Sequence, residues 1–241
     1  MIKIGRAILG QGPAIAVTVT DGDDPKSIQR AKKTAGAYYN FPFLIELRID
    51  RFRRLEENYV LSKVRSFKRP GLPLIATIRS RKEGGARRLS DPERFGLFRK
   101  VLPFVDAVDI ELASIRLRKT LLPLVHRAKK KIILSYHDFT STPSEAALIC
   151  LIQKGRRAGA DIVKIAVTPK SKNDLTRLLR VTNRYREKNL ITIAMDRLGT
   201  PSRVLAPLFG SLLTYTFIGE KSQAPGQLSL HSLFHELKPL L

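Results

Sequence analysis

Short apolar runs rich in valine and isoleucine recur along the chain, each followed by a longer stretch whose apolar positions have helical spacing. AIAVTV (14–19), FLIELRI (43–49), PLIATIR (73–79), AVDIEL (107–112), KIILSY (131–136), DIVKIAV (161–167), LITIAM (190–195) and LTYTFI (213–218) predict eight strands. Segments 25–38, 91–102, 115–129, 144–158 and 171–187 predict helices between them. SDPERF supports one helix start directly, with Ser90 or Asp91 as cap and Pro92 in the first turn.

The strand starts are roughly thirty residues apart, the period of a strand–helix unit in a closed parallel barrel. Alternating strands and helices predict a parallel sheet. Eight units in about 225 residues favour closure into a (β/α)8 TIM-type barrel over an open doubly wound sheet. Residues 2–9, turned by Gly10 to Pro13, predict a small hairpin under the barrel floor. No linker or low-complexity stretch interrupts the pattern, so residues 1–241 read as a single barrel domain.

Composition changes this picture little. The chain is 43% hydrophobic and 27% charged, enough apolar material for a core. Its formal net charge of +23 attracts polyanions or small acidic substrates. The cations are spread over segments such as 65–69, 127–131 and 177–188, where a solvated helix face explains them. Trp is absent and no RNA-binding signature is visible, so nucleic acid enters only as a non-specific polyanion partner. A single cysteine, Cys150, rules out an intrachain disulfide framework, which suits a reducing cytoplasm, and it reads as a buried structural thiol. The first apolar stretch is broken by GQGP (10–13), which argues against a signal peptide or membrane helix. GQGPAI lacks the third glycine of a dinucleotide fingerprint.

The informative residues are polar ones at strand ends. Residues two apart in a strand share a face. Glu46, Arg48 and Asp50 therefore point one way and Ile45, Leu47 and Ile49 the other. Thr77 pairs with Arg79, Asp109 with Glu111, and Ser135 with His137, while Lys164 shares its face with Ile162 and Ala166. Glu83 follows the third strand beside Gly84 and Gly85, Arg203 follows the seventh and Gln227 the eighth. Almost every strand delivers an ionisable or amide group at its C-terminal end, the face where barrel enzymes do chemistry.

Each residue also has a structural reading. Arg48 and Glu46 make a plausible ion pair at the barrel mouth, His137 a hydrogen-bonded strand end, and Lys164 a buried pair with Glu46 or Glu83. Yet a lysine inside a strand loses its hydration at considerable cost. Packed among cations and apolar walls, it gives up a proton more readily and can attack a ketone to form a Schiff base. The iminium makes the proton on the adjacent carbon removable, and His137, one strand away, is a suitable base. Arg48, Arg79 and Arg203 suit a small polyoxygenated acid.

The ordered set ELRID (46–50), TIRSRKEGG (77–85), SYHDF (135–139), VKIAV (163–167), MDRLGTPSR (195–203) and APGQ (224–227) resembles type I 3-dehydroquinate dehydratase, from about residue 14 to the C-terminal helix. The resemblance implies a cofactor-free lyase of the shikimate pathway that converts 3-dehydroquinate to 3-dehydroshikimate, as a homodimer, in the cytoplasm that the single cysteine suits. It implies that Lys164 forms the imine, that His137 moves the protons and that Glu83 assists it. Arg203 and Gln227 would hold the substrate carboxylate, and Glu46, Arg48 and Arg79 the ring hydroxyls. Thr18 stands where the family often has serine.

One departure is plain. Many members read SAPGQ, whereas this chain has Gln223 before APGQ and Ser222 one residue earlier, so either the amide replaces the hydroxyl or the loop shifts. Gly219 and Gly226 suggest a loop that closes over substrate. Two other readings remain: a class I Schiff-base aldolase, for which LGTPSR and SQAPGQ are poor phosphate loops, and a basic nucleic-acid-binding protein on a barrel scaffold.

Overall fold

The computed structural model describes residues 1–36, 41–219 and 222–238. Ten strands and nine α-helices follow one another among these residues. β1 (Ile2–Ile4) and β2 (Ala7–Leu9) form an antiparallel hairpin. The remaining strands are β3 (Ile15–Val19), β4 (Phe43–Arg48), β5 (Leu74–Thr77), β6 (Ala107–Glu111), β7 (Lys131–Asp138), β8 (Ile162–Val167), β9 (Leu190–Ala194) and β10 (Thr214–Phe217). These eight run parallel in the order β10-β3-β4-β5-β6-β7-β8-β9. The seam between β9 and β10 is bridged from the residues just before β10, where Leu212 N donates to Leu190 O at 2.9 Å and Thr192 N to Ser211 Oγ at 3.0 Å. The nearly closed barrel is the predicted (β/α)8 architecture.

The five expected helices are α1 (Pro25–Gly36), α3 (Asp91–Val101), α4 (Ile115–Arg127), α5 (Glu145–Arg157) and α6 (Lys172–Arg184). The last two positions expected for α1, 37 and 38, lie outside the described residues. Four further helices are present: α2 (Glu57–Lys68), α7 (Asp196–Gly199), α8 (Ser202–Leu208) and α9 (Leu230–Leu237). Ser90 is the α3 cap, and with Glu93 it forms a reciprocal capping box. No helix among the described residues is long and apolar enough to cross a membrane. Cys150 is exposed on α5, not buried as its apolar neighbourhood suggests, because it falls off the stripe formed by Leu148 and Ile152.

The barrel interior changes character two residues at a time. Its lower part is apolar: Ala16, Leu44, Ile75, Ala107, Ile133, Ile162, Ile191 and Leu213 cluster with Ile4 and Leu9 of the hairpin, which plugs the floor. Two residues further along seven of these strands stand Thr18, Glu46, Thr77, Asp109, Ser135, Lys164 and Tyr215, all buried. Only β9 continues apolar, with Ile193. The alternate positions, among them Val17, Ile45, Leu47, Val108, Ile110 and Leu134, face the helices and pack with Val64, Phe67, Phe98, Leu121 and Leu233. Strand alternation thus commits one face to the helix layer and leaves the other to supply both floor and chemistry.

β5 ends at Thr77, two residues short of the expected span. Ile78 and Arg79 leave the sheet toward a 3-10 turn, Arg81–Glu83, closed by Gly84 in the left-handed region at φ 84°. A side-chain carbon on Gly85 would lie 2.1 Å from Arg79 O, so this path requires glycine. β7 extends two residues beyond its expected end, which places His137 inside the strand beside β8.

Candidate active site

All ten residues singled out in the sequence, Thr18, Glu46, Arg48, Arg79, Glu83, His137, Lys164, Arg203, Gln223 and Gln227, line one cavity at the C-terminal end of the barrel. The cavity measures about 620 Å³ including the solvent at its mouth, within the range used for small ligands.

At its base, Lys164 Nζ donates to Asp109 Oδ2 at 3.0 Å and lies 3.5 Å from Glu46 Oε1. The Tyr215 ring faces the same nitrogen, centred 4.0 Å away. This setting corrects the expectation of a lysine among cations and apolar walls: its nearest neighbours are two carboxylates and an aromatic face. The third strand residue of that level, Ser135, sits directly beside Lys164 in register and donates to Asp109 Oδ1 at 2.7 Å. Burial alone would raise the Asp109 carboxyl, but Arg79 and then Lys164 outweigh it and hold the group well below its usual range. Glu46 accepts from the Thr18 and Thr77 hydroxyls, both at 2.9 Å.

The expected Arg48–Glu46 ion pair does not form. Arg48 grips Asp50 instead, through Nε at 3.0 Å and Nη2 at 2.9 Å, and Glu46 is left to face Lys164. Asp50 lies just beyond β4, in a turn that swings its carboxylate back under the guanidinium.

Above the lysine, Glu83 Oε2 accepts from both the backbone N–H of His137 at 3.0 Å and its ring Nδ1 at 2.9 Å. With Nδ1 donating, the other ring nitrogen is an acceptor. An imidazolium–carboxylate pair would raise the histidine and lower the acid. Here both shifts run the other way. Burial, followed by the charges of Arg79 and Lys164, holds His137 well below its usual value. Burial also pushes Glu83 up to about 7, against the pull of Arg79. The imidazole is therefore neutral at neutral pH and able to take a proton.

Arg79 anchors the wall between these groups. It donates to Asp109 Oδ1 at 2.9 Å, to Ser135 Oγ at 2.5 Å and to Glu111 Oε1 at 3.4 Å. Glu111 is in turn held by Arg94, a fully buried residue of α3, and by the Ser114 hydroxyl.

Residues 222–227, between β10 and α9, form the roof. Gln227 Nε2 donates to Thr18 Oγ1 at 3.3 Å, and its Oε1 accepts from Gln223 N at 3.0 Å. Arg203 Nη2 donates to Pro225 O at 3.1 Å. Arg203 has no carboxylate partner among the described residues, its Nε is buried without a hydrogen bond, and burial lowers it to about 10. A guanidinium stored in this way is a seat for an anion. At the serine position of the family motif, Gln223 faces the cavity; Ser222 is exposed and closes a turn onto Ala224. Gly226 is no free hinge: at φ 67°, a side-chain carbon there would lie 2.2 Å from Asp196 O.

Several cavity residues were not assigned from the sequence. Tyr215, Arg51, Met195 and Phe139 line the wall, and Asp109, visible on the inward face but given no role, is buried behind Lys164. Position two after an apolar inward residue would have found Asp109 and Tyr215. Arg51 lies in the turn after β4, where no periodicity applies.

The sequence model described as type I 3-dehydroquinase matches residues 15–238. A 3-dehydroquinate dehydratase of Thermodesulfovibrio yellowstonii is 35% identical over 226 residues, covering 94% of this chain and 95% of that protein. Among solved structures, the 3-dehydroquinate dehydratase of Aquifex aeolicus superposes with a TM-score of 0.78 at 36% identity, over 94% of this chain and 98% of its own. That of Geobacillus kaustophilus gives a TM-score of 0.87 at 31% identity, over 99% of this chain and 95% of its own.

Proposed function

This chain belongs to the type I 3-dehydroquinase family and dehydrates 3-dehydroquinate to 3-dehydroshikimate, and from that premise we propose which of its residues carry the reaction. His137 takes a proton from the Lys164 ammonium, the free amine attacks the substrate ketone, and His137 returns that proton to the departing hydroxyl, so that water leaves and the iminium forms. His137 removes a proton from the adjacent carbon, and the electron pair moves toward the iminium nitrogen. The enamine then expels the hydroxyl one carbon further on as water, with His137 returning the proton. Water hydrolyses the remaining imine and frees the amine.

The observation that carries this reading is the placement of Lys164 and His137 on adjacent strands of one cavity, with Ser135 opposite Lys164 and His137 opposite Ala166. Asp109 and Glu46, which face the ammonium, face an iminium equally well, so the charge balance of the buried site survives imine formation. Glu83 holds the His137 ring with one nitrogen as a proton acceptor. Arg203 takes the carboxylate with Gln227 beside it, while Thr18, Glu46, Arg48, Arg79 and Gln223 bound the ring hydroxyls.

The test is trapping. Protein incubated with 3-dehydroquinate and borohydride is digested and mapped by mass spectrometry. A reduced adduct on Lys164, absent from Lys164→Ala, is expected. Turnover with an adduct on another lysine, or with none, would overturn the assignment.

The same reading treats residues 1–241 as one catalytic domain, working as a homodimer in the cytoplasm; the single cysteine suits that compartment. A single unfolding transition, sedimentation equilibrium and cell fractionation test the three points. The +23 charge supports weak polyanion binding that falls steeply with salt.

A further inference from the structure

Four arginines line the cavity, and they divide by partner. Arg48 is paired with Asp50, and Arg79 with Asp109 and Glu111. Arg51 and Arg203 have no carboxylate partner among the described residues. Both have a buried Nε without a hydrogen bond, and both touch the same loop from different places. Arg203 reaches the carbonyl of Pro225 at 3.1 Å, and Arg51 Nη1 reaches the side-chain oxygen of Gln223 at 3.3 Å.

Gln223 is the position at which this chain departs from the family motif. A serine there has too short a side chain to meet a guanidinium and the cavity together. The longer amide carries its oxygen to Arg51, while its backbone N–H donates to Gln227. From Gln227 the contacts continue to Thr18 and then to Glu46, the carboxylate 3.5 Å from Lys164.

We propose that Arg51 is a positioning residue of the substrate site, acting through Gln223: it holds the amide in place of the missing serine hydroxyl and fixes the 223–227 segment as the roof over the substrate. Arg51 and Gln223 form one unit, so the amide needs the arginine and the arginine serves the reaction only through the amide. This rests on the assignment of the cavity as the dehydration site. Burial, and next the charge of Arg48, lowers the Arg51 guanidinium below its usual value. A guanidinium kept there against that cost, with an amide oxygen as its one hydrogen-bond partner among the described residues, fits a local duty better than a general surface charge.

A double-mutant cycle tests it. Arg51→Met, Gln223→Ala and the double variant are assayed for formation of the conjugated enone. A hydrogen bond to a charged group predicts that each single variant raises KM roughly tenfold, with kcat changed far less. The double variant is expected to match the worse single variant, since the second substitution removes a contact already lost. In Gln223→Ser, which restores the family residue, Arg51→Met should change KM less than twofold.

Multiplying effects would show that Arg51 meets the substrate by itself and would overturn the proposal. So would an equal loss in kcat with KM unchanged. A parental enzyme that turns over 3-dehydroquinate while forming no adduct on Lys164 would instead refute the reading of the cavity, whatever the cycle gave. Circular dichroism and melting temperature of each variant separate misfolding from a positioning effect, and Arg51→Lys should recover part of the lost affinity.

Discussion

One carboxylate oxygen of Glu83 accepts two hydrogen bonds from the same residue, His137: one from its backbone N–H at 3.0 Å and one from its ring Nδ1 at 2.9 Å. The double contact fixes both the position of the strand end and the orientation of the ring. It also joins an acid raised to about 7 to a histidine held well below its usual value. Protonating Glu83 takes the charge from the acceptor, and the hold on the ring and its tautomer weakens.

Activity should therefore fall as pH drops through about 7, the value to which burial raises Glu83. A pH profile of kcat checks this, and in Glu83→Gln that limb should flatten while kcat falls by roughly 10²-fold. A limb unchanged in the variant would assign the titration to another group.

The same acid links pH to stability. Its folded value of about 7 lies above the ordinary 4.5, so its contribution is fully present below 4.5 and is lost as pH rises through 7. Glu83→Gln, which removes the buried charge, should be more stable than the parent by roughly 2–3 kcal/mol above pH 7. The gap should close toward pH 4. Urea unfolding at pH 4 and pH 8 measures it.

Arg203 trades stability for binding in the same manner. Burial lowers it to about 10, so at neutral pH the fold carries the full cost of an under-paired cation. Arg203→Met should unfold at a urea concentration equal to or above that of the parent, while KM rises by at least about tenfold. A loss of stability with unchanged KM would place its role in the loop alone.

Asp109 is the electrostatic centre of the base, in contact with Lys164, Arg79 and Ser135. Asp109→Asn should cost about 3 kcal/mol at neutral pH, because two buried cations lose their shared counter-charge. The folded carboxyl lies below the ordinary 3.8, so this deficit should persist down to about pH 4 and shrink only below it. Turnover should also fall, through loss of the charge facing the iminium.

Ser90→Ala separates stability from catalysis. It removes one half of the α3 capping box, whose bonds run from Glu93 N to Ser90 Oγ at 3.4 Å and from Ser90 N to Glu93 Oε2 at 2.7 Å. A loss of about 1 kcal/mol is expected, with unchanged kcat and KM.

Much of the barrel was legible because its rule is local. Apolar runs at a thirty-residue period mark the strands, and alternation within a run assigns each face without knowledge of the neighbours. For that reason Ile45 and Leu47 could be assigned to the helix layer and Glu46 and Lys164 to the interior, as the structure has them. Helices α2 and α8 were not distinguished, since α2 begins inside a strongly charged stretch and α8 is short and contains Pro207.

By itself the sequence determined which residues face inward, because a strand has only two faces and a chain that buries one of them shows it in every second letter. It also determined that Lys164, His137 and the arginines reach the same end of the barrel, because parallel strands share one direction. Partner choice was left to the tertiary structure. Arg48 takes Asp50 and not Glu46, Asp109 joins the expected Glu46 in holding Lys164, and Arg51 reaches Gln223 across 172 residues of chain. Such pairings depend on barrel stagger, on the turn after each strand and on a few tenths of an ångström between competing acceptors. A pattern read along one strand carries none of those distances.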